Sequence, residues 1–246
     1  SAVLQCVKAL EQEGYAVSYL KPDSTGHITA EQVSAALRED TALVSVMLVN
    51  NETGARLPVE EIAAPLADRP ALLHTDAVQG FLKVPFTAGS LGADYITLSA
   101  HKIGGPKGIG ALYIGGRAKN TLPLLYGGGQ EAGLRPGTEA TAQIAGFAKA
   151  VALRRQCLEE TWRHLADCRA YAVERLGEIP DLCFVGQGDA PHILSVSLPG
   201  YPSQNIVSEL SGKGICISAG SACHRGRVSH VLSAMGLDKK TAAGTV

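Results

Sequence analysis

The sequence predicts an α/β protein whose first 115 residues form a mostly parallel sheet with helices on both faces. Strand-like and helix-like segments alternate in this region, which is the order produced when helical crossovers join parallel strands. Thr41–Val49 is a nearly continuous β-branched and apolar run, typical of a strand covered on both faces. From about Thr138 the pattern changes to a long helical period, and a second, smaller α/β unit is expected after it.

The elements of the first region follow in order. Its strand candidates are Tyr15–Leu20, Thr41–Val49, Ala71–Thr75, Asp94–Ser99 and Ile109–Ile114. Thr29–Arg38 is an amphipathic helix candidate that Thr29 would cap, and Val59–Ala67 is a second helix candidate. Asn50-Asn51-Glu52, Asp76 and His101-Lys102 each come directly after a predicted strand. Because ligands bind at the carboxyl ends of parallel strands, we expect these three clusters to converge on one pocket.

A long helical period connects the two regions. Apolar residues recur at helical spacing from about Thr138 to Gly177, and the helix is expected to break near Cys157. Strands at Leu182–Val185 and Ile193–Leu198 and helices at Ser203–Leu210 and Ser229–Met235 would form the smaller unit. The predicted division is therefore residues 1–140 as part of a large domain, 141–178 as a connecting helix region and 179–246 as part of a small domain.

Composition excludes several classes of protein. The 246 residues are 46% apolar and 18% charged with a net charge of −1, so no basic field favours nucleic acid or an anionic membrane. The longest apolar runs, such as Thr41–Val49, are about half the length of a membrane helix. Six scattered cysteines without a C-x-x-C pair argue against structural zinc and a disulfide framework, which favours a reducing cytoplasm.

Lys102 is the first candidate for chemistry. It ends an apolar run and precedes Ile103–Gly110, a turn with four glycines and one proline. A lysine near a cationic or apolar wall loses pKa and becomes nucleophilic, as Schiff-base formation with a carbonyl cofactor requires. A solvated surface lysine is the alternative, and the flanking residues alone leave both open.

Other polar residues near predicted strand ends fit the same cofactor. A buried carboxylate such as Asp76 keeps a pyridine nitrogen protonated, and the amide of Gln79, three residues on, would reach a ring hydroxyl, as would Asn51. Ser99 and His101, beside glycine-rich backbone, would hold a phosphate. Asp76 and Asn51 are equally explained by turn chemistry, and Ser99 and His101 by a structural role.

Two later segments complete the set. The glycine-rich connection Gly127–Glu139 is typical of a linker, and Thr138 within it fits as an N-cap whose free amides favour a phosphate. Cys223 lies in a small-residue loop before His224 and Arg225, so we expect an exposed thiol with a lowered pKa, suited to nucleophilic sulfur chemistry. The other five cysteines are expected to pack as small hydrophobic side chains.

The order of these motifs resembles the cysteine desulfurase family, the NifS-like branch of aminotransferase class V. From about Asn50 to Cys223 the sequence carries, in turn, H-x-D-x-x-Q, S-x-H-K followed by G-G-P-K-G-x-G, then G-G-G-Q-E, R-P-G-T-E and G-S-A-C. The resemblance implies fold type I of pyridoxal phosphate (PLP) enzymes. It also implies L-cysteine as substrate, an obligatory homodimer, and G-S-A-C in a long mobile loop.

The resemblance further implies residue roles. Lys102 would bind the PLP aldehyde covalently and carry the substrate proton, and Cys223 would take up sulfur as a persulfide. The remaining implied PLP contacts are Asp76 at the pyridine nitrogen, Gln79 at the ring hydroxyl, Ser99 and His101 at the phosphate, and Thr138 at the phosphate of the partner subunit. Asn51 would orient the substrate. A sulfur-acceptor protein, either an iron–sulfur scaffold or a tRNA-thiolating enzyme, would receive the sulfur.

The family pattern also includes elements that this sequence does not contain. Its glycine/threonine phosphate loop and ring-stacking histidine would precede Ser1, and its substrate-carboxylate arginine would follow Val246. We therefore expect the chain to be a portion of a longer protein that binds PLP poorly alone. Three alternatives remain open: a selenocysteine lyase, another class V aminotransferase or lyase, and a non-catalytic fragment.

Overall fold

Helices and strands alternate along the chain in a computed structural model that describes residues 2–186, 188–220 and 229–246. In these residues the helices are α1 (Ala2–Gln12), α2 (Ala30–Ala36), α3 (Val59–Ala63), α4 (Ala88–Leu91), α5 (Thr141–Gln156), α6 (Leu158–Leu176), α7 (Ser203–Ser211), α8 (His230–Ala234) and α9 (Lys239–Ala243). The strands are β1 (Leu43–Met47), β2 (Leu72–Asp76), β3 (Tyr95–Ser99), β4 (Gly110–Ile114), β5 (Cys183–Phe184) and β6 (Val196–Ser197). The predicted α/β class is confirmed.

A four-stranded sheet is the main element of one compact unit, formed by Arg38–Leu48 and Val59–Thr161. Its strand order is β1-β2-β3-β4. Strands β1, β2 and β3 are parallel, and β4 returns antiparallel to β3. The mostly parallel sheet predicted from the sequence is therefore confirmed, with an antiparallel edge strand.

One face of this sheet carries the core. In β2, Leu73 and Thr75 are buried and alternate with half-buried residues, as the two-residue period of a strand requires. Further buried apolar side chains of this unit are Val46, Leu48, Val59, Ile62, Leu66, Leu91 and Ile96. The expectation that β1 is covered on both faces is wrong for the described residues. Leu43 is 51% exposed and Ser45 is exposed, so burial is concentrated on the opposite face.

Local signals in the sequence set several helix ends. The Thr29 hydroxyl accepts a hydrogen bond from the Gln32 amide while the Gln32 side chain accepts from the Thr29 amide, so the predicted cap of α2 is confirmed. The long helix breaks at Cys157, between α5 and α6, as predicted. The helix predicted over Val59–Ala67 ends as the 3₁₀ turn Ala64–Leu66, because Pro65 cannot donate the next helical hydrogen bond.

The strand predicted over Tyr15–Leu20 is wrong. This segment forms no regular secondary structure. Tyr15 and Tyr19 are 61% and 50% exposed, and the Tyr19 hydroxyl donates to Glu11 of the preceding helix. A segment of strand-forming residues becomes a strand only when a neighbouring strand accepts its hydrogen bonds, and none of the described strands pairs with this segment.

The second compact unit comprises Ser1–Leu37, Val49–Pro58 and Trp162–Val246. It contains the antiparallel pair β5–β6, which is shorter than the two strands predicted there. Val185, Leu232, Met235 and Ala242 form its apolar cluster. The helices predicted over Ser203–Leu210 and Ser229–Met235 correspond to α7 and α8, while α9 was not predicted. The large-domain and small-domain division of the sequence stays a prediction. Each described helix is too short or too polar to cross a lipid bilayer.

Thr75 provides a test of the sheet core. Its side chain is fully buried, and its hydroxyl has no hydrogen-bond partner among the described residues. Thr75→Val keeps the shape and removes the unpaired hydroxyl, so we expect unfolding free energy to rise by about 1 kcal/mol in urea denaturation. Thr97→Val is the matched control. The Thr97 hydroxyl bonds to His74, so this variant should lose stability, and equal effects of the two substitutions would contradict the assignment.

Candidate active site

The carboxyl ends of β2 and β3 bring an acid and the lysine turn to one edge of the sheet. Asp76 is the last residue of β2, and its register partner in β3 is Thr97. Strand β3 ends at Ser99 and continues directly into the 3₁₀ turn Ala100–Ile103, which carries Lys102. Since β2 and β3 are parallel, both ends lie at the same edge, where α/β sheets bind ligands.

The lysine turn, Ala100–Ile103, is buried on one side and exposed on the other. Ala100 and Ile103 are buried, whereas His101 and Lys102 are exposed. Gly105 fits closely, because a Cβ there would lie 3.0 Å from both Cβ and the carbonyl oxygen of Ala100. Arg154 of α5 also donates a long hydrogen bond of 3.5 Å to the carbonyl oxygen of Ile103. The turn therefore holds the Lys102 backbone in place and leaves its amine accessible.

Ser99 and His101 form a polar pair beside the lysine. The Ser99 Oγ and His101 Nδ1 atoms are 2.7 Å apart, within hydrogen-bond distance. Because one of these atoms donates to the other, the pair keeps at least one free O–H or N–H donor for an anion.

The Asp76 carboxylate is held by its own backbone turn. Its Oδ1 accepts a hydrogen bond from the Val78 amide at 3.0 Å, and the Ala77 amide donates to the carbonyl of Thr97. The residue is half-buried. These bonds fix the carboxylate at the point where the chain leaves the sheet.

His74 was not assigned a role from the sequence, yet its ring joins three strands. Its Nδ1 lies 2.7 Å from the Ser45 hydroxyl of β1, and its Nε2 lies 2.9 Å from the Thr97 hydroxyl of β3. Burial lowers the pKa of His74, although the negative charge of Asp76 acts in the opposite direction. The i, i+2 spacing of His74 and Asp76 places them on the same sheet face, which is the signal that could have identified it.

Lowering the pH should destabilise this sheet through His74. The unfolded chain takes up a proton at His74 as the pH falls through about 6.5, while the folded protein, with its lowered pKa, stays neutral to a lower pH. Unfolding free energy should therefore fall between pH 7.5 and pH 5.5. His74→Gln should flatten this dependence in urea denaturation, and His164→Gln, at an exposed site on α6, should not. An unchanged slope in His74→Gln would contradict the role of burial.

Gln79 makes its contact with a residue that the sequence did not single out. Lys83 Nζ donates to Gln79 Oε1 at 2.7 Å, and both side chains are half-buried. Burial, together with the nearby positive charges of Lys102 and Arg154, lowers the pKa of Lys83 to about 8. Three cations from three segments therefore lie near one another at this edge of the sheet.

Thr138 lies in the loop before α5 and is exposed. Its predicted role as an N-cap is wrong. Helix α5 begins at Thr141 with Ala140 at the cap position, which has no side-chain acceptor for the first amides. The guanidinium of Arg135 instead donates to the backbone oxygens of Gly137 and Thr138, and this fixes the loop ahead of the helix.

Asn51 belongs to the other compact unit. In its turn the capping contacts come from Asn50, whose Oδ1 accepts from the amides of Glu52 and Thr53 at 2.9 and 3.0 Å. Asn51 itself is exposed. The side-chain hydrogen bonds that stabilise this turn are therefore made by Asn50. The Asn51 side chain does not make these two bonds and is accessible.

Cys223 lies outside the described residues. The five described cysteines, Cys6, Cys157, Cys168, Cys183 and Cys216, are exposed and form no disulfide. The expectation that they pack as small hydrophobic side chains is wrong, since exposed thiols contribute no core.

Comparison with known proteins relates this arrangement to one family. The family described as aminotransferase class-V matches residues 1–241. A cysteine desulfurase of Nostoc sp. is 40% identical over 252 residues, covering 100% of this chain and 62% of its own length. The chain thus spans less than two thirds of that relative.

Two solved structures extend the comparison. A NifS-like protein has a TM-score of 0.89 and 37% identity, over 99% of this chain and 65% of its own. A structure of SspA in complex with cysteine has a TM-score of 0.78 and 35% identity, over 99% of this chain and 68% of its own. Similarity over nearly the whole chain confirms the predicted fold.

Proposed function

Because the chain belongs to the aminotransferase class-V family, we propose that the protein is a PLP-dependent cysteine desulfurase of fold type I. It would convert L-cysteine to L-alanine and retain the sulfur as a persulfide on Cys223. The observation that carries the proposal is the placement of Asp76 and the Lys102 turn at one sheet edge. The sequence similarity to a cysteine desulfurase supports the choice of substrate.

The donor set of the described residues fits PLP. An exposed amine on an anchored turn suits an aldehyde, and a half-buried carboxylate suits a protonated pyridine nitrogen. Lysine has only donors, so its contact with Gln79 Oε1 leaves the Gln79 Nε2 hydrogens for the ring oxygen. The Ser99 and His101 pair supplies a donor for the phosphate.

Each residue then has a proposed role. Lys102 binds the aldehyde carbon, Asp76 the pyridine nitrogen and Gln79 the ring oxygen, while Ser99 and His101 bind the phosphate. Thr138 would reach the phosphate of a partner subunit, and Asn51 would orient the substrate. When bound, PLP supplies an electron sink for the substrate Cα.

Two side chains would move the reacting atoms. Lys102 Nζ would take the Cα proton of the substrate. The Cys223 thiolate attacks the substrate sulfur, so that an S–S bond forms as the C–S bond breaks and the electron pair stays with the carbon fragment. Lys102 would return its proton to Cα, and a second proton, equivalent to the one lost by the Cys223 thiol, would add at Cβ. These two protons give alanine, and the sulfur remains on Cys223 for transfer.

The test is an assay of the full-length protein with PLP and each of two amino acids. We expect alanine from L-cysteine in amounts that match the sulfur transferred to a thiol acceptor. Alanine from L-selenocysteine alone would replace the proposal with a selenocysteine lyase. Absence of both the visible absorbance of lysine-bound PLP and any product would favour a non-catalytic role.

The active form is proposed to be a homodimer. The described chain exposes a run of large apolar side chains ahead of Thr138: Leu122 (80%), Leu124 (93%), Leu125 (66%) and Tyr126 (83%). A contiguous apolar stretch of this kind is usually covered by another protein surface. A second copy of the chain would cover it and would bring Thr138 to the neighbouring site.

Leu124→Asp should separate the subunits. Leu124 is 93% exposed, so the substitution should leave the fold of each chain intact while placing a charge in the proposed interface. We expect the mass measured by sedimentation to fall from dimer to monomer, with weaker PLP binding. Ile215→Asp, at a site 50% exposed in the other compact unit, is the control and should stay dimeric. A dimeric Leu124→Asp protein would exclude this surface as the interface.

Acceptor and location complete the proposal. The persulfide would pass to an acceptor protein, either an iron–sulfur scaffold or a tRNA-thiolating enzyme, without direct contact with nucleic acid or membrane. A cytoplasmic location is supported by the five exposed, unpaired cysteines of the described residues, since such thiols persist in a reducing compartment.

A further inference from the structure

Lys83 lies at the end of a short turn that follows β2, near the sheet edge that carries Asp76 and Lys102. Gly80 and Phe81 amides both donate to the carbonyl of Ala77, which closes the first part of the turn. Leu82 then adopts a left-handed backbone with φ of 54°, a conformation that is strained for a non-glycine residue. The turn thus carries Lys83 to the Gln79 amide, four residues earlier.

We propose that Lys83 is a positioning residue for the cofactor: it holds the Gln79 carboxamide with its oxygen turned away from PLP and its nitrogen turned toward the ring oxygen. This inference rests on the proposed function, because it concerns the same PLP site.

The chemistry of the two side chains fixes the orientation of the amide. A lysine ammonium has three donors and no acceptor, so only the carbonyl oxygen of Gln79 can accept at 2.7 Å. The opposite end of the amide then presents N–H donors. If the amide were free to turn, its oxygen would face the ring oxygen part of the time, and two acceptors would repel each other.

The contact also strengthens the donor. Hydrogen bonds in a chain polarise one another, so an ammonium on the amide oxygen makes the amide N–H a better donor. With PLP bound, a better donor to the ring oxygen would stabilise negative charge on that oxygen. The oxygen would then hold a proton on the neighbouring Lys102 nitrogen less strongly. Lys83 should therefore favour loss of that proton.

The surrounding charges act in the same direction. After burial, Lys102 and Arg154 are the positive groups that contribute to lowering the pKa of Lys83 to about 8. The Lys83 charge also repels further positive charge at this sheet edge directly, through space. The positioning effect passes through Gln79, whereas the charge effect does not, and this difference can be measured.

The experiment follows the visible absorbance of PLP bound to the full-length protein as the pH is varied. Lys83→Met should raise the pH midpoint of the absorbance change by about one unit, since a donor and a charge are lost, and should weaken PLP binding. Lys83→Arg, which keeps donor and charge, should stay near the wild-type midpoint. Lys149→Met, at an exposed site on α5, is the matched control and should not shift it.

A double variant separates positioning from charge. In a Gln79→Leu background, Lys83→Met should shift the midpoint by less than it does in the wild-type protein. Equal shifts in both backgrounds, or no shift from Lys83→Met in the wild-type background, would overturn the positioning role. Lys83→Leu is the second variant, judged by the same criterion, if Lys83→Met does not fold. A wild-type protein without the absorbance of lysine-bound PLP would instead refute the proposed function itself.

Discussion

Lys102→Ala is expected to abolish both the visible absorbance of lysine-bound PLP and the release of alanine. The substitution removes the amine that binds the aldehyde and carries the Cα proton, while the turn keeps its buried anchors Ala100 and Ile103. Loss of a group that performs two steps should lower the rate roughly a thousand-fold or more. Absorbance spectra and an alanine assay on the same preparations measure both effects.

Lys107→Ala is the matched control for this prediction. Lys107 is exposed in the same glycine-rich segment and has no proposed contact with PLP. It should retain the absorbance and most of the activity. A Lys102→Ala protein that still showed lysine-bound PLP would move the covalent link to another lysine, and Lys83 would be the first to examine.

Cys223→Ser is expected to stop sulfur transfer while PLP binding survives. A serine oxygen cannot form a persulfide, so the substrate C–S bond loses the nucleophile that breaks it. Alanine release should fall on the order of a hundred-fold or more, measured with L-cysteine under single-turnover conditions. The absorbance of bound PLP should be unchanged, because none of the proposed cofactor contacts involves Cys223.

Cys216→Ser tests whether any thiol would serve. Cys216 is exposed and lies seven residues before Cys223 in the sequence. It is therefore a second accessible thiol close to Cys223 in the chain. This variant should keep full activity. Undiminished alanine release from Cys223→Ser would exclude a desulfurase that uses this cysteine and favour another class V lyase.

Features that depend on short stretches of chain could be predicted from the sequence. The Thr29 cap needs only Gln32 three residues later, and the break near Cys157 was visible as an interruption of the helical period. The strand end at Ser99 followed from an apolar run that stops at polar residues, and the end predicted at Thr75 lies one residue before the observed end at Asp76. Because β2 and β3 are parallel, these two strand ends lie at the same sheet edge, and Asp76 and the Lys102 turn lie there with them.

Features that depend on distant partners could not be predicted. Lys83 follows Gln79 by four residues, but only the fold brings Lys102 and Arg154 near its side chain and buries half of it. The bridging role of His74 likewise requires the register of three strands. The strand predicted over Tyr15–Leu20 had the right residues but no neighbour to pair with among the described strands.

The central claim is that Lys102, and no other lysine, is covalently bound to PLP at the carboxyl end of β3. Borohydride reduction of the full-length protein with PLP, followed by proteolysis and mass spectrometry, locates the link directly. We predict one phosphopyridoxyl group on the peptide that contains Lys102, at the Lys102 side chain. A label at Lys83 or Lys107, or an unlabelled Lys102 in protein that is active with L-cysteine, would contradict the account.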